Sequence, residues 1–363
     1  KVGFNGVFSK SDQVLPNNGV WQQAFNAPSI FPVYDNTNSA TFPDKYASPD
    51  AVGFTSNFYN PVATANYNNS KNENYQVLSN FYAQFNILPE KLNFRTSYSY
   101  DYSSIKGRTY IAPYYVSSWQ QKSVSELTKS NTNYYNYVWD NTLTYNEKIG
   151  LHKFGAMLGY SMREQQYRYL WGKANNVPEG ADEYLYLGQG NAEGVTVGDD
   201  GYCYRGQSYF ARLNYDFAGK YLLMFTMRAD GSSKYQEKLG YFPSVGASWV
   251  VSQEDFMKNQ KVFDYLKLRA SWGKLGNDHV SASDGFASIT TGKGASGVFG
   301  NATIPGYQNT TYFSWLKWEV VDELNVGLNF ATLNNRLSVD LDYYHRMTNN
   351  AVIAPRLPFS NQT

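Results

Sequence analysis

Residues 208–278 read SYFARLNYDFAGKYLLMFTMRADGSSKYQEKLGYFPSVGASWVVSQEDFMKNQKVFDYLKLRASWGKLGND, and their alternation decides the fold class. In the first of four segments, Tyr209, Ala211, Leu213, Tyr215 and Phe217 are apolar or aromatic, with the mostly polar set Phe210, Arg212, Asn214 and Asp216 between them. The second sets Tyr221, Leu223, Phe225 and Met227 against Lys220, Thr226 and Arg228, and the third sets Tyr241, Val245, Ala247, Trp249 and Val251 against Ser244, Gly246 and Ser248. The fourth is the cleanest: Leu266, Leu268, Ala270 and Trp272 against Lys267, Arg269, Ser271 and Gly273. A period of two means strand, because successive side chains of an extended chain point to opposite faces. Phe217 to Lys220 reads as a tight turn, Asp230 to Leu239 as a longer polar loop and Ser252 to Asp264 as a charged connection of medium length. Strands joined this simply are antiparallel neighbours. Strands of about 10 residues whose apolar faces end in aromatics suit a membrane-spanning β-barrel. A large soluble β-sheet protein suits the same four segments.

The same period appears on both sides of this stretch. Lys1 to Ser9 alternates weakly. Val77, Ser79, Phe81, Ala83, Phe85 and Ile87 make one face, and Leu92, Phe94, Thr96, Tyr98, Tyr100 and Tyr102 the returning one. A strand over about Tyr134–Asn146 is followed by a face of Phe154, Ala156, Leu158, Tyr160 and Met162, and Trp318–Phe330 with Leu337–His345 form a last hairpin. Short connections fall near residues 89, 149, 218, 258 and 333, and longer ones at 11–74, 103–130, 167–202, 230–239 and 278–314. Short turns at one end and long loops at the other mark an outer-membrane barrel, with periplasmic turns and extracellular loops. The spacing predicts an all-β chain: about eleven antiparallel strands, roughly half of a 22-stranded transmembrane barrel. Such a piece has two open edges, and backbone groups in hydrocarbon must all be paired, so further strands are needed for closure.

Several blocks resemble the SusC/RagA-type TonB-dependent outer-membrane transporters. They are YFARLNYDF with AGKYLLMFTMRADGSSK, then GYFPSVGASWVVSQEDF, then LKLRASWGKLGND. KVGFNGVFSKS followed by AFNAPSIFPVYDN is similar to an early barrel strand and its surface loop. FYNPVA with NFYAQFNILPEKLNFRTSYSYDYS is similar to the next hairpin, and WEVVDELNVGLNFATLNNRLSVDLDYYHRMTNN to a later one. The blocks keep family order over nearly all 363 residues. The resemblance implies import of oligosaccharides or peptides across the bacterial outer membrane, energised through the TonB complex, with a SusD-like surface lipoprotein capping the barrel. It also implies that residues 1–363 are a portion of the barrel domain, with a signal peptide, a TonB box, a plug and C-terminal strands lying outside them. A passive porin-like barrel or surface adhesin, and a secreted soluble carbohydrate-binding β protein, are the rival readings.

Composition narrows the classes. Aromatic residues make up 17% of the chain, with 33 Tyr, and the net charge of +1 gives no electrostatic reason to expect a nucleic-acid partner. Mean hydropathy is −0.52, and no apolar run approaches the ~18 residues of a membrane helix. A barrel escapes that test, since its apolar residues stand at every second position and face the membrane lipid. Cys203 is the single cysteine, which rules out an intrachain disulfide or a cysteine-based zinc site, and His152, His279 and His345 lack metal-ligand spacing. Neither a metal nor another cofactor is expected. Asp199-Asp200-Gly201 and Asp230-Gly231-Ser232 lack the calcium-loop pattern and read as turns. Gly292, Gly294 and Gly297 spell G-x-G-x-x-G without the strand and helix that a dinucleotide site requires, and read as a surface loop. No nucleophile–base set or carboxylate pair recommends an enzyme.

The aromatic excess divides in two. Tyr98, Tyr100, Trp139, Trp249 and Trp272 lie on outward faces, where they read as interfacial girdles. Tyr110, Tyr114, Tyr115, Trp119, Tyr167, Tyr169, Trp171, Tyr307, Tyr312 and Trp315 lie in or beside the long loops. Flat rings stack on sugars and on peptide side chains, so Tyr110, Tyr114, Tyr115, Trp119, Tyr169, Trp171, Tyr312 and Trp315 are the candidate substrate contacts. Packing of loops on each other is the alternative. Arg95, Arg163, Arg212, Arg228, Lys267 and Arg269 fall on the lumen parity, where they pair with acids such as Asp101, Asp216 and Asp340 or face the plug, the plain reading being a solvated lumen.

Overall fold

The structure is a computed structural model describing residues 1–16, 19–38, 44–50, 52–54, 58–280, 288–290, 296–299, 302–305, 307–309 and 316–352. Eleven strands form one sheet: β1 Val2–Leu15, β2 Asn68–Leu88, β3 Leu92–Ile111, β4 Glu126–Ile149, β5 His152–Asn175, β6 Thr196–Phe217, β7 Tyr221–Ser232, β8 Leu239–Val250, β9 Tyr265–Asn277, β10 Glu319–Thr332 and β11 Leu337–Asn349. Each pairs antiparallel with its neighbours in sequence. β1 and β11 are the two edges, and among the described residues neither has a partner on its second side.

The short-turn end follows the sequence. Ala218 and Gly219, both at positive φ (56° and 71°), reverse the chain between β6 and β7, and the Gly219 amide donates to Asp216 Oδ1 at 2.6 Å. A glycine and a local carboxylate acceptor are what a tight left-handed turn needs. The connection from β8 to β9 contains two short 3₁₀ turns, Val251–Gln253 and Asp255–Met257. Glu254 ties it down by accepting from Lys220 Nζ (2.9 Å), Tyr221 Oη (2.7 Å) and Trp249 Nε1 (3.0 Å). The Lys220 ammonium, then the tyrosine and indole donors, draw the Glu254 carboxyl down to about 2.

The long-loop end departs from the expected boundaries. β4 and β5 run 24 residues each, so much of the stretches 103–130 and 167–202 is strand rather than loop. The register continues because cross-strand hydroxyls, amides and tyrosines keep pairing where apolar alternation has faded. The two Asp-Gly runs expected as turns also lie in strands, on β6 and at the end of β7. The first connection is residues 16–67 and holds two short helices, Val20–Asn26 and Pro61–Tyr67, which the all-β expectation lacked. Asn60 caps the second through the amides of Val62 and Ala63, each at 3.2 Å, with Pro61 opening the helix.

The sheet has two unlike faces, and among the described residues no single central hydrophobic core forms. Among the described residues three small clusters of buried apolar side chains form, all at the long-loop end, while Val250, Val251 and Ala331 are buried singly near the short turns. The apolar face of the strands is instead open: Leu158 is 61% exposed, Leu213 54% and Leu268 44%. Two aromatic rows bound it. Near the short turns, His152, Phe154, Tyr215 and Phe217 stack on one another with ring centroids 4.8–6.2 Å apart. Further up, Tyr98, Tyr137, Trp139, Tyr160 and Tyr209 form a second row. Eight residues separate Tyr209 from Phe217 on β6. At ~3.3 Å per residue and a tilt near ~45°, that is roughly 19 Å of height, close to the apolar band of a membrane barrel. A soluble sandwich would bury this face against a second sheet.

Above the upper row, the connection after β5 folds back against the outer wall. Val177 and Leu185 cover Tyr110, Leu127 and Ala174, which share the apolar parity. Asp182 pairs with Lys71 and, at 3.1 Å, with Arg108, and Lys129 lies 5.1 Å from the Tyr186 ring centroid. Lys71, Arg108 and Lys129 are direct cross-strand neighbours on β2, β3 and β4, and the loop's carboxylate relieves that like-charge row.

Candidate functional site: the polar face of the wall

The opposite parity carries the polar side chains, and it is the concave side. A cavity of about 850 Å³ at the short-turn end is lined by Asn146, Lys153, Asp216, Ser248, Lys267 and Arg269, all from this face. Lys153 reaches Asp216 at 2.8 Å. Arg269 donates to Asn329 Oδ1 (3.0 Å) and Asp342 (2.7 Å), and the Asn329 amide donates onward to Asp340. The guanidinium crosses Gly327, where a Cβ would stand 2.5 Å from Arg269 Nε. A side chain at this position would have to displace the guanidinium from its bonds to Asn329 and Asp342.

The expected ion pairs are corrected by the register. Arg163 pairs with Asp278, outside the expected set of acids, and Arg228 with Asp230 two residues along its own strand, each Nε–O distance of the latter being 2.7 Å. Arg95 lies over the Tyr82 ring at 4.7 Å. Asp101 accepts from Gln76 (3.3 Å) and Asn136 (3.5 Å) instead of a cation. Side chains bond to whatever stands beside them on the same face, which a single strand's pattern does not reveal.

Higher on the same face, three cross-strand rows run over β2 to β6. They read Asn72–Gly107–Ser130–Trp171–Gly198, then Asn74–Ile105–Thr132–Tyr169–Asp200, then Gln76–Ser103–Tyr134–Tyr167–Tyr202. The rings of Tyr134 and Tyr167 are 5.3 Å apart, those of Tyr167 and Tyr202 also 5.3 Å, and Tyr169 stands 6.4 Å from Tyr167. The Trp171 indole leans across Gly198, where a Cβ would come within 2.6 Å of Nε1. Beside the rings the face is amide and hydroxyl: Ser103 donates to Asn74 Oδ1 at 3.2 Å. In the next row towards the rim, the Ser70 and Thr109 hydroxyls meet at 2.9 Å.

A charged latch flanks the ladder. Tyr204 donates to Asp278 Oδ2 at 2.8 Å, Arg163 reaches the same oxygen at 2.9 Å, and Lys234 donates to the Asp278 carbonyl at 2.9 Å. The two cations stand 5.0 and 4.7 Å from the Tyr204 ring centroid. Burial, then the bond to Asp278, pushes the Tyr204 phenol up to about 12, so it stays a proton donor. This latch fixes the root of the connection that follows β9.

The candidate contacts scatter. Tyr169 and Trp171 lie on β5 and face the concavity. Tyr110 ends β3 on the other face, buried, with its hydroxyl 3.4 Å from the Val177 carbonyl. Tyr114 stacks on Tyr67 at 4.8 Å, in the cluster of Tyr46, Ala63 and Val116. Tyr115 sits on the short pairing of Tyr114–Tyr115 with Gln121–Lys122, and Trp119 lies half-buried between them. Tyr307 belongs to the short strand Tyr307–Asn309, and Gly297 to Ser296–Phe299. Tyr312, Trp315, Gly292 and Gly294 lie outside the described residues. Tyr134 and Tyr202 complete the ladder and were not singled out by sequence. The period of two carried past Met162, where Gln165, Tyr167, Tyr169 and Trp171 alternate with Glu164, Gln166, Arg168 and Leu170, marks the β5 part of the ladder, and the cross-strand register adds the other two.

Comparison with known proteins supplies a family. The family model described as TonB dependent receptor-like, beta-barrel, matches residues 21–362. The chain is 28% identical over 375 residues to the TonB-dependent receptor P26 of Formosa agariphila, covering 99% of this chain and 35% of that protein. It is 28% identical over 364 residues to the TonB-dependent receptor SusC of Bacteroides thetaiotaomicron, covering 97% and 33%. The chain thus spans about a third of the length of these relatives. Among solved structures, the RagAB peptide transporter superposes with a TM-score of 0.77 at 20% identity, over 100% of this chain and 40% of that one, a likeness of fold.

Proposed function

Because this chain belongs to the TonB dependent receptor-like β-barrel family, we propose that it forms part of the wall of an outer-membrane importer for oligosaccharides or peptides. The observation that carries this reading is the two-faced sheet. An apolar band between aromatic rows faces lipid, and a concave polar face bearing an aromatic ladder faces the passage. On this reading the protein is integral to the outer membrane, and its long-loop end faces outward. The remaining length of the relatives corresponds to the closing strands, a plug and the segment that contacts the TonB complex. A SusD-like surface lipoprotein covers the long-loop end and captures substrate, and pulling through TonB then remodels the plug to release it inward.

Uptake tests the proposal. Cells expressing the full-length protein should accumulate a labelled nutrient only while TonB is intact, and the protein should fractionate with the outer membrane. Gentle detergent extraction should bring the lipoprotein with it. Uptake that persists without TonB would replace the active importer by a passive pore, and extraction as a detergent-free soluble protein would end the membrane reading.

A further inference from the structure

We propose that the upper part of the polar wall, over β2 to β6, is a stacking subsite for uncharged saccharides, with Tyr134, Tyr167, Tyr169, Trp171 and Tyr202 as its ring-bearing residues. This rests on the import reading above and narrows it, because that reading left oligosaccharide and peptide open.

Three features carry the choice. The first is charge. The three rows across five strands give fifteen positions, and the one ionisable carboxylate or cation among them is Asp200. A peptide brings charged termini and side chains, and a wall selecting it would place opposite charges there, since buried or half-buried charges need partners. The lower cavity does carry such charges, with Lys153, Asp216, Lys267 and Arg269 on its lining. Charge returns in the adjoining rows, with Lys173 towards the rim and Asp101 and Arg163 below, so neutrality belongs to these three rows.

The second feature is the pairing of functional groups. Asn72, Asn74 and Gln76 on β2 and Ser103, Ser130 and Thr132 on β3 and β4 offer donors and acceptors in one patch. A sugar's hydroxyls both donate and accept, and amides and hydroxyls match them without a net charge. The third is the ladder. The rings of Tyr134, Tyr167 and Tyr202, 5.3 Å apart with 39° and 27° between their planes, overlap in part across β4, β5 and β6, and the Tyr202 end of the ladder leaves the most ring surface open next to that patch. The C–H face of a pyranose lies flat on such a surface while its hydroxyl edge turns to the amides. The rings are half-buried or exposed, and Tyr202 keeps 42% of its surface open.

The test uses the full-length protein in detergent and two probe panels: immobilised neutral gluco-, manno-, galacto- and xylo-oligosaccharides, and short peptides of mixed charge. A member of the saccharide panel should be retained and the peptides not. Calorimetry with that saccharide should then show Tyr167→Ala weakening binding about tenfold, and Tyr167→Phe leaving it within about twofold, since the ring supplies the contact. The Phe variant keeps the packing of the wall and so separates stacking from misfolding. Retention of peptides alone overturns the saccharide class while leaving import intact. Retention of a saccharide with unchanged affinity in both Tyr167 variants overturns the wall subsite. Capture from neither panel overturns the proposal too, and the import reading is then judged on TonB-dependent uptake.

Discussion

Leu213→Arg on β6 tests which face meets lipid. Leu213 lies midway between Tyr209 and Phe217, four residues from each, and is 54% exposed on the apolar face. Four residues at ~3.3 Å, tilted by ~45°, put it roughly 9 Å from either aromatic row, at mid-depth of the band. A cation at the midplane of a lipid-facing wall costs about 2–4 kcal/mol. The same substitution at an exposed position of a water-soluble sheet should cost within about 0.5 kcal/mol. Arg212→Leu, one residue away on the polar face, should cost about 1 kcal/mol or less in the barrel, since the lumen position is wet. The assay is reversible urea unfolding of the full-length protein in phospholipid vesicles, followed by tryptophan fluorescence and extrapolated linearly. A Leu213→Arg cost no greater than that of Arg212→Leu would refute the assignment of faces.

Leu268→Arg should cost less than Leu213→Arg in the same assay, because Leu268 pairs with Trp249, which in turn pairs with Tyr221 at the short-turn end; an equal cost would misplace the lower aromatic row. In a Cys203→Ser background, single cysteines introduced at Leu266, Leu268 and Ala270 should react with a bilayer-soluble probe, and those at Lys267, Arg269 and Ser271 with a water-soluble one. Equal labelling would show the register to be wrong. Glu254, lowered from its ordinary 4.5 to about 2, stabilises the β8–β9 connection fully above pH 4.5, and that contribution fades as the pH falls towards 2. Glu254→Gln should therefore lower thermal stability at neutral pH and leave a smaller difference near pH 2; a difference that grows on acidification would contradict the sign. Asp182→Asn should open the connection over residues 178–195 to limited proteolysis without unfolding the strands, and unchanged resistance would show that the loop is held by its apolar contacts alone.

The alternation of Leu266 to Gly273 and of Tyr209 to Phe217 is enough to read strands, neighbours and faces, because a residue's parity on an extended chain is fixed by geometry alone. The same alternation fades beyond Tyr102 and Met162, where polar side chains stand on both faces and apolar character stops reporting direction. Hydrogen-bond register keeps the strands going there, and it is written in pairs such as Asn72 with Gly107 rather than in either strand by itself. The candidate site was legible to the same extent. Tyr169 and Trp171 were found as aromatics near the long-loop end, but Tyr134 and Tyr202 needed the cross-strand partners that only the fold supplies. Tyr110 shows the converse: its ring is spent on Leu127 and Ala174, a neighbourhood that depends on the loop folding back.

The pairing of β3 with β4, β4 with β5 and β5 with β6 contains no register shift, and a single irregularity near Asn86 marks β2. That continuity sets a rule for how lineages of this wall can change in length. Two residues gained or lost within a strand slide every ring and carboxylate by one row and keep its side, whereas one residue transposes the whole segment beyond it from the polar face to the apolar one. Insertions and deletions inside strands should therefore survive in even numbers or arrive with a compensating bulge, and odd ones should collect in the long connections, where they leave the wall unaltered.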